Sequence, residues 1–203
     1  MTGSQSPVFV VDDDDLARAV LTLRLADAGF AVADFASAHD LLAALEPDAK
    51  GCVITDVRMS PIDGVALTVM LRDQSPGIDV IVITGYADIP LAVSAMKAGA
   101  RDFIQKSDDF APLIAAIHEL GSRPLAAALN APEQEAILRR MEALTPRELE
   151  VLTEIGVGKT GREIGQVLGI SARTVEAHRR AIMLKMEASR LGHLVRMAAL
   201  VAR

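Results

Sequence analysis

Four aspartates, Asp12 to Asp15, follow without a break on the apolar run Val8 to Val11. Neighbouring carboxylates repel one another, so a cation belongs among them. Later apolar runs end in the same way on single polar residues: Asp56 after CVIT, Thr84 closing VIVIT, Lys106 after RDFIQ. If these runs are parallel strands of one open sheet, the loops at their carboxyl ends meet on the edge where such sheets bind ligands. Asp12, Asp13 and Asp56 then offer carboxylates, Thr84 a hydroxyl and Lys106 an ammonium. A hard cation such as Mg²⁺ takes one or two carboxylates with waters and phosphate oxygens, and Asp13 and Asp56 could supply them. A carboxylate can also accept a phosphoryl group, with a metal and a lysine balancing the charge on its oxygens. Asp56 is the candidate acceptor, with Thr84 hydrogen-bonding one phosphoryl oxygen and Lys106 pairing with another. An aspartate run after a strand is more often a turn and a helix N-cap; the agreement of successive loops in order favours the chemical reading.

The elements that must position these residues are legible as an alternation. Short apolar runs (VFVV, AVADF, CVIT, VIVIT, RDFIQ) alternate with amphipathic ones (LARAVLTLRLADAG, SAHDLLAALEP, DGVALTVMLRDQSPG, IPLAVSAMKAG, FAPLIAAIHEL). Five strands and five helices predict an α/β fold, a (βα)5 doubly wound parallel sheet. Gly29 and Gly99 fall where helix C-caps are expected. From Gly121 the pattern changes: Pro124 and Pro132 bracket an alanine-rich stretch, and PEQEAILRRMEAL reads as a connector helix. Thr145-Pro146-Arg147-Glu148 fits a capping box. Beyond it come only short helices, GREIGQVLG and SARTVEAHRRAIMLKM joined through Gly169-Ile170-Ser171 and then LGHLVRMAALVA, an all-α helix-turn-helix arrangement. The expected organisation is residues 1–121, a helical linker 122–143, and a four-helix domain 144–203.

Bulk properties agree with two domains. The 203 residues, 51% of them apolar, suffice for one full core and a smaller second one. The single cysteine, Cys52, excludes a disulfide framework and a cysteine-rich metal site and suits a reducing, cytoplasmic setting. No apolar run approaches the ~18 residues of a membrane span, and Met1 to Pro7 lacks signal-peptide regions. Residues 1–120 hold 8 basic and 18 acidic side chains, residues 121–203 hold 13 and 9. An acidic half and a basic half have different partners, and only the second tolerates nucleic acid.

VVDD at Val10 to Asp13, TDVRMSPIDG at Thr55 to Gly64, VITGYADIPLAV at Val82 to Val93 and MKAGARDFIQK at Met96 to Lys106 resemble the response-regulator receiver family. Over nearly its whole length the chain is similar to the FixJ-like members, which add a NarL/LuxR-type DNA-binding domain. The resemblance implies that Asp56 is phosphorylated by a sensor histidine kinase, that Asp12, Asp13 and Asp56 hold Mg²⁺ with the backbone carbonyl of Arg58, and that Thr84 and Phe103 form the switch. It implies that the Thr84 shift lets the Phe103 ring turn inward, remodelling the face on which an active homodimer forms. Such a receiver catalyses only its own phosphoryl transfer and dephosphorylation, so no other enzymatic turnover is expected. Two departures stand out: Ser107 occupies the place of a proline usually joined to the lysine by a cis bond, and Ser60 stands where proline is common, with Pro61 one place on.

Leu144 to Met186 resembles the LuxR-type four-helix domain along its length. It departs at Gly161 and Gly165, where asparagine and alanine are usual, and each glycine should weaken its helix by about 1 kcal/mol. On the second helix of the motif, Glu176, Ala177 and Arg180 match positions that face bases, while Arg173, Thr174, Arg179 and Lys185 are placed for phosphates. Arg180 would read guanine, Glu176 a cytosine amine, and Ala177 a thymine methyl. One such domain makes few contacts, so two copies on a two-fold promoter site are expected. The stripe Leu191, Leu194, Met197 or Ala198, and Val201 would pair them. The partners are thus a histidine kinase, double-stranded promoter DNA, a second copy and RNA polymerase, with no membrane. Two rivals follow. One is a phosphorylation-independent DNA binder with an atypical receiver, made credible by Ser107. The other is a haloacid-dehalogenase-like phosphatase, suggested by Asp12-Asp13-Asp14 but disfavoured by Leu16, which stands where that signature has Thr or Val.

Overall fold

The computed structural model describes residues 6–46, 48–86, 88–120 and 131–199, with the backbone alone at 131–134. The apolar runs form strands β1 (Val8–Val11), β2 (Val32–Phe35), β3 (Gly51–Asp56), β4 (Ile78–Thr84) and β5 (Asp102–Gln105). All pairings are parallel, in the order β2-β1-β3-β4-β5. Parallel neighbours need crossovers, and these contain α1 (Asp15–Asp27), α2 (Ala38–Ala44), α3 (Gly64–Gln74) and α4 (Ile89–Ala98), while α5 (Ala111–Leu120) follows β5. Every residue of β3 is buried, and every residue of β4 except Asp79, which is why these two strands read as unbroken apolar runs. Val8, Val10, Leu25, Ile54, Ile81 and Ile117 belong to one core. Cys52 lies buried in β3; desolvation, with a smaller push from the Asp79 carboxylate, lifts its thiol far above the ordinary range.

The chain divides into two compact units, one built on the sheet and one of helices alone. The latter takes in residues 88–96, most of α4, together with α6 (Ala131–Met141), α7 (Pro146–Val157), α8 (Gly161–Leu168), α9 (Ala172–Lys185) and α10 (Leu191–Ala198). Helix α7 starts on the expected capping box, Thr145 with Glu148, and α8 on a second one, Thr160 with Glu163. Helix α9 packs on both α7 and α8, and Leu152, Ile155, Ile164, Val175, Ile182 and Met186 are buried. The rest of the expected linker, through residue 130, lies outside the described residues, as does Val201.

Two expectations are corrected by packing. An ideal Cβ at Gly165 would sit 2.6 Å from the Ile170 carbonyl oxygen, whereas at Gly161 the nearest neighbour is Val175 Cγ1 at 4.0 Å. Gly165 therefore permits the close turn between α8 and α9, and only Gly161 carries a removable propensity cost. The α10 stripe is also used within the chain. Helix α10 packs on α7, an added Cβ at Gly156 would lie 3.1 Å from the Ala198 carbonyl oxygen, and Leu194, Met197 and Ala198 are buried. These residues are not displayed for a second copy.

Candidate functional site

The parallel register carries the acid-site residues to one edge. Val11 pairs with Thr55 and Asp56 with Ile83, so Asp12 and Asp56 emerge side by side at the ends of β1 and β3. Thr84 pairs with Gln105, and the Lys106 N–H donates to the Thr84 carbonyl at 2.7 Å, which brings Lys106 to the same edge. Its Nζ stands 2.7 Å from Asp12 Oδ2 and 2.5 Å from Asp56 Oδ1. The second oxygen of each carboxylate accepts a backbone N–H, Asp12 Oδ1 from Asp14 at 3.0 Å and Asp56 Oδ2 from Arg58 at 2.6 Å. Burial alone would lower the Lys106 pKa; hydrogen bonds and charge from Asp12 and Asp56 outweigh it and raise the pKa. Gly64 lets α3 begin against Asp56, because a Cβ there would fall on the Asp56 carbonyl oxygen.

The four aspartates divide their work. Asp12 is buried at the site and Asp13 is exposed. Asp14 caps α1, accepting from the Leu16 and Ala17 N–H groups. Asp15 pairs with Arg18 at 2.5 Å, and Arg18 also reaches Asp34 and the Asp12 carbonyl. The Thr84 hydroxyl is turned onto its own loop, accepting from the Tyr86 N–H at 3.3 Å and donating to the Tyr86 carbonyl at 3.2 Å. Phe103 is fully buried in β5. The Lys106–Ser107 peptide is trans and the Ser60–Pro61 peptide is cis. Asp109 accepts the Ala111 N–H at the start of α5, and the Ser107 hydroxyl donates to the Asp109 carbonyl. Lys106 is thus held by Asp12 and Asp56. A cavity of about 290 Å³ opens beside Asp12 and Lys106, with Leu16, Val20 and Phe110 among its walls.

In the helical unit, Ser171 caps α9 and its hydroxyl is 2.8 Å from that of Thr174. Arg173, Thr174, Ala177 and Arg180 are exposed, as is Leu184 on the same face. Glu176 holds Arg179 through two hydrogen bonds, 2.8 and 2.7 Å, and Arg180 through one of 3.3 Å. The Arg179 pairing, partly opposed by desolvation, lowers the Glu176 pKa. Lys185, expected at a phosphate, donates to Glu148 Oε2 at 2.6 Å, the oxygen that also accepts the Thr145 N–H of the capping box.

The model of the response regulator receiver domain matches residues 8–118, and that of bacterial regulatory proteins of the luxR family matches residues 142–198. The chain is 42% identical over 194 residues to the transcriptional regulatory protein FixJ of Azorhizobium caulinodans, covering 96% of this chain and 92% of that protein. The chain belongs to the FixJ-like response regulators. Full-length FixJ from B. japonicum, a crystal structure, is 38% identical with a TM-score of 0.53 and 97% of each chain covered. A BeF3-activated DrrB receiver domain is 25% identical with a TM-score of 0.53, covering 59% of this chain and 99% of that one.

As a response regulator, the chain combines a receiver with a LuxR-type DNA-binding domain in one transcription regulator, and this family membership displaces the dehalogenase-like reading. Receivers as a class bind Mg²⁺. Among the described residues no three His, Cys, Asp or Glu side chains form a ready metal cluster. The donor set nevertheless fits: Asp12 and Asp56 offer two oxygen-rich, nearly buried carboxylates with one ammonium between them, and Mg²⁺ needs only one or two carboxylates with waters. Sequence reasoning missed the exposed apolar Leu16 and Val20 beside the site, and the Glu176 clamp; the signals were the four-residue spacing on α1 and the three-residue spacing on α9.

Among the described residues, no helix of this response regulator is long and apolar enough to cross a membrane.

Proposed function

We propose that Asp56 accepts a phosphoryl group from a phosphohistidine of a sensor kinase, and that this modification governs promoter binding. The observation that carries the reading is the Lys106 ammonium held between Asp12 and Asp56 at the sheet edge. A carboxylate oxygen of Asp56 attacks phosphorus and the imidazole nitrogen leaves; attack by water later restores the carboxylate. Lys106 is positioned to turn from Asp56 to a phosphoryl oxygen. Asp12, Asp13, Asp56 and the Arg58 carbonyl would hold Mg²⁺, which supplies charge neutralisation of the phosphoryl oxygens when bound. Thr84 would leave the Tyr86 loop to hydrogen-bond the new group, with Phe103 as the side chain that registers the shift. The exposed Leu16 and Val20, which line the cavity beside Asp12 and Lys106, would give the donor protein an apolar contact.

The assigned boundaries are 1–121 for the receiver, 122–143 for the linker and 144–203 for the DNA-binding domain. On α9, Arg180 would read guanine and Ala177 a thymine methyl, with Arg173 and Thr174 toward phosphates. Two phosphorylated copies would occupy a two-fold operator, from which RNA polymerase is engaged or excluded. Treatment with acetyl phosphate and Mg²⁺ followed by intact mass measurement should add one phosphoryl group to the wild type and none to Asp56→Asn. Modification of that variant would move the acceptor elsewhere.

One observation favours a second reading. Phe103 is already fully buried, the inward placement that signalling is expected to produce. A receiver resting in that arrangement would dimerise and bind DNA without modification. Equal promoter affinity of Asp56→Ala and wild type under phosphorylating conditions would select this reading.

A further inference from the structure

The two neighbouring arginines of α9 differ in a way that their residue type does not announce. Val175 and Ile182 are the buried residues of this helix, and Arg179 lies four residues from one and three from the other. It therefore leaves the helix beside the packed face. Arg173, Ala177, Arg180 and Leu184, at successive spacings of four, three and four, form the outward face, and all four are exposed. The Arg179 side chain is 25% exposed and that of Arg180 78%.

The hydrogen bonds follow the same division. Arg179 donates Nε to Glu176 Oε2 at 2.8 Å and Nη2 to Oε1 at 2.7 Å, and its Nη1 rests 3.5 Å from Met183 Sδ. That is the paired fork geometry in which guanidinium matches carboxylate, and its bidentate edge is fully engaged. Arg180 makes a single longer contact and keeps most of its donors for DNA.

We propose that Arg179 is a positioning residue and not a phosphate contact: its guanidinium holds the Glu176 carboxylate on the shoulder of α9, so that Glu176 discriminates bases by accepting a hydrogen bond from an exocyclic amine. The inference rests on reading α9 as the base-reading helix. A lone carboxylate is repelled by the phosphates lining a groove; neutralised and oriented by Arg179, it can approach a base edge. The oxygen that also meets Arg180 ties the two readers together, so Glu176 and Arg180 present adjacent acceptor and donor groups. An ion pair of near-zero net charge contributes little to counterion release, which leaves the salt dependence of binding to the displayed cations such as Arg173.

Arg179→Lys separates the alternatives, since it keeps the charge and loses the fork. Binding-site selection from random duplexes, followed by affinities for the selected site and its single-base variants across a salt series, is applied to full-length wild type, Glu176→Gln, Arg179→Lys and the double variant. Glu176→Gln and Arg179→Lys should relax preference at the same base pair of each half-site by about tenfold. The double variant should relax it no further, and Arg179→Lys should leave the salt slope unchanged. Arg179→Lys with wild-type preference would overturn the proposal, as would unchanged preference in Glu176→Gln whatever lysine does. A wild type that selects no sequence would remove the base-reading role of α9 itself, a failure distinguishable from the others because it appears before any substitution.

Discussion

Both units set carboxylates against cations, and they do so in opposite surroundings. At the sheet edge Lys106 stands between Asp12 and Asp56, whose side chains are nearly closed to solvent. On α9 Glu176 stands between two arginines at the surface. Water screens the second cluster, where a pair contributes a few tenths of a kcal/mol. Removing one partner of a buried pair instead leaves an uncompensated charge and costs about 3–5 kcal/mol. Similar ion-pair geometry thus maintains the fold in one place and lies open to water in another.

The sharpest way to break this contrast is Lys106→Met. Two adjacent carboxylates would lose their cation, and because Lys106 is itself partly exposed the cost should fall at the low end of the buried range, about 3 kcal/mol. The chain has no tryptophan and one tyrosine, Tyr86, in the loop after β4, so urea unfolding followed by tyrosine fluorescence reports on the sheet unit. The Lys106 pKa is raised, so its contribution is complete at neutral pH and is lost only as pH climbs beyond the ordinary lysine value of 10.5. A variant as stable as the wild type would erase the distinction between the two clusters.

Next in size are the glycines of α8. Gly165→Ala should destabilise the helical unit by about 2 kcal/mol through collision with the Ile170 carbonyl, while Gly161→Ala should stabilise it by up to about 1 kcal/mol. Thermal unfolding followed by far-ultraviolet circular dichroism measures both, and equal effects would refute the packing explanation.

The Glu148 cluster is intermediate, since Glu148 is buried but Lys185 is partly exposed. Glu148→Gln should cost about 1–2 kcal/mol. Pairing with Lys185, opposed by burial and reinforced by the Thr145 N–H, lowers the Glu148 pKa. Its contribution is therefore present above the ordinary value of 4.5 and lost as pH falls through the depressed one. The difference in melting temperature between wild type and variant should shrink below pH 4.5 and stay flat above it. The smallest effect belongs to Glu176→Gln, which should change stability by less than about 0.5 kcal/mol; a loss of 2 kcal/mol would mean that the α9 clamp supports the fold after all.

Much of this architecture was readable from residue order. Strands β3 and β4 are buried on both faces, so their apolar runs need no tertiary context to be recognised, and the polar residues ending successive runs mark one edge of the sheet. The capping box at Thr145 was readable because both of its members are local. Partners across the fold were not. The α10 stripe shows that a face is buried without saying that α7 buries it, and Lys185 has the type and place of a phosphate ligand until Glu148, far away in sequence, occupies it. The Thr84 hydroxyl was expected to face the acceptor, yet an N–H one short loop away competes for it. Gly165 looked like a propensity defect because a close backbone approach leaves no trace in composition.

The burial of Cys52 has a practical consequence. Its protonated, enclosed sulfur is the chain's sole sulfhydryl, so a thiol engineered onto the exposed face of α9 should accept a maleimide probe without background. Any alkylation at position 52 would then time the opening of the central strands.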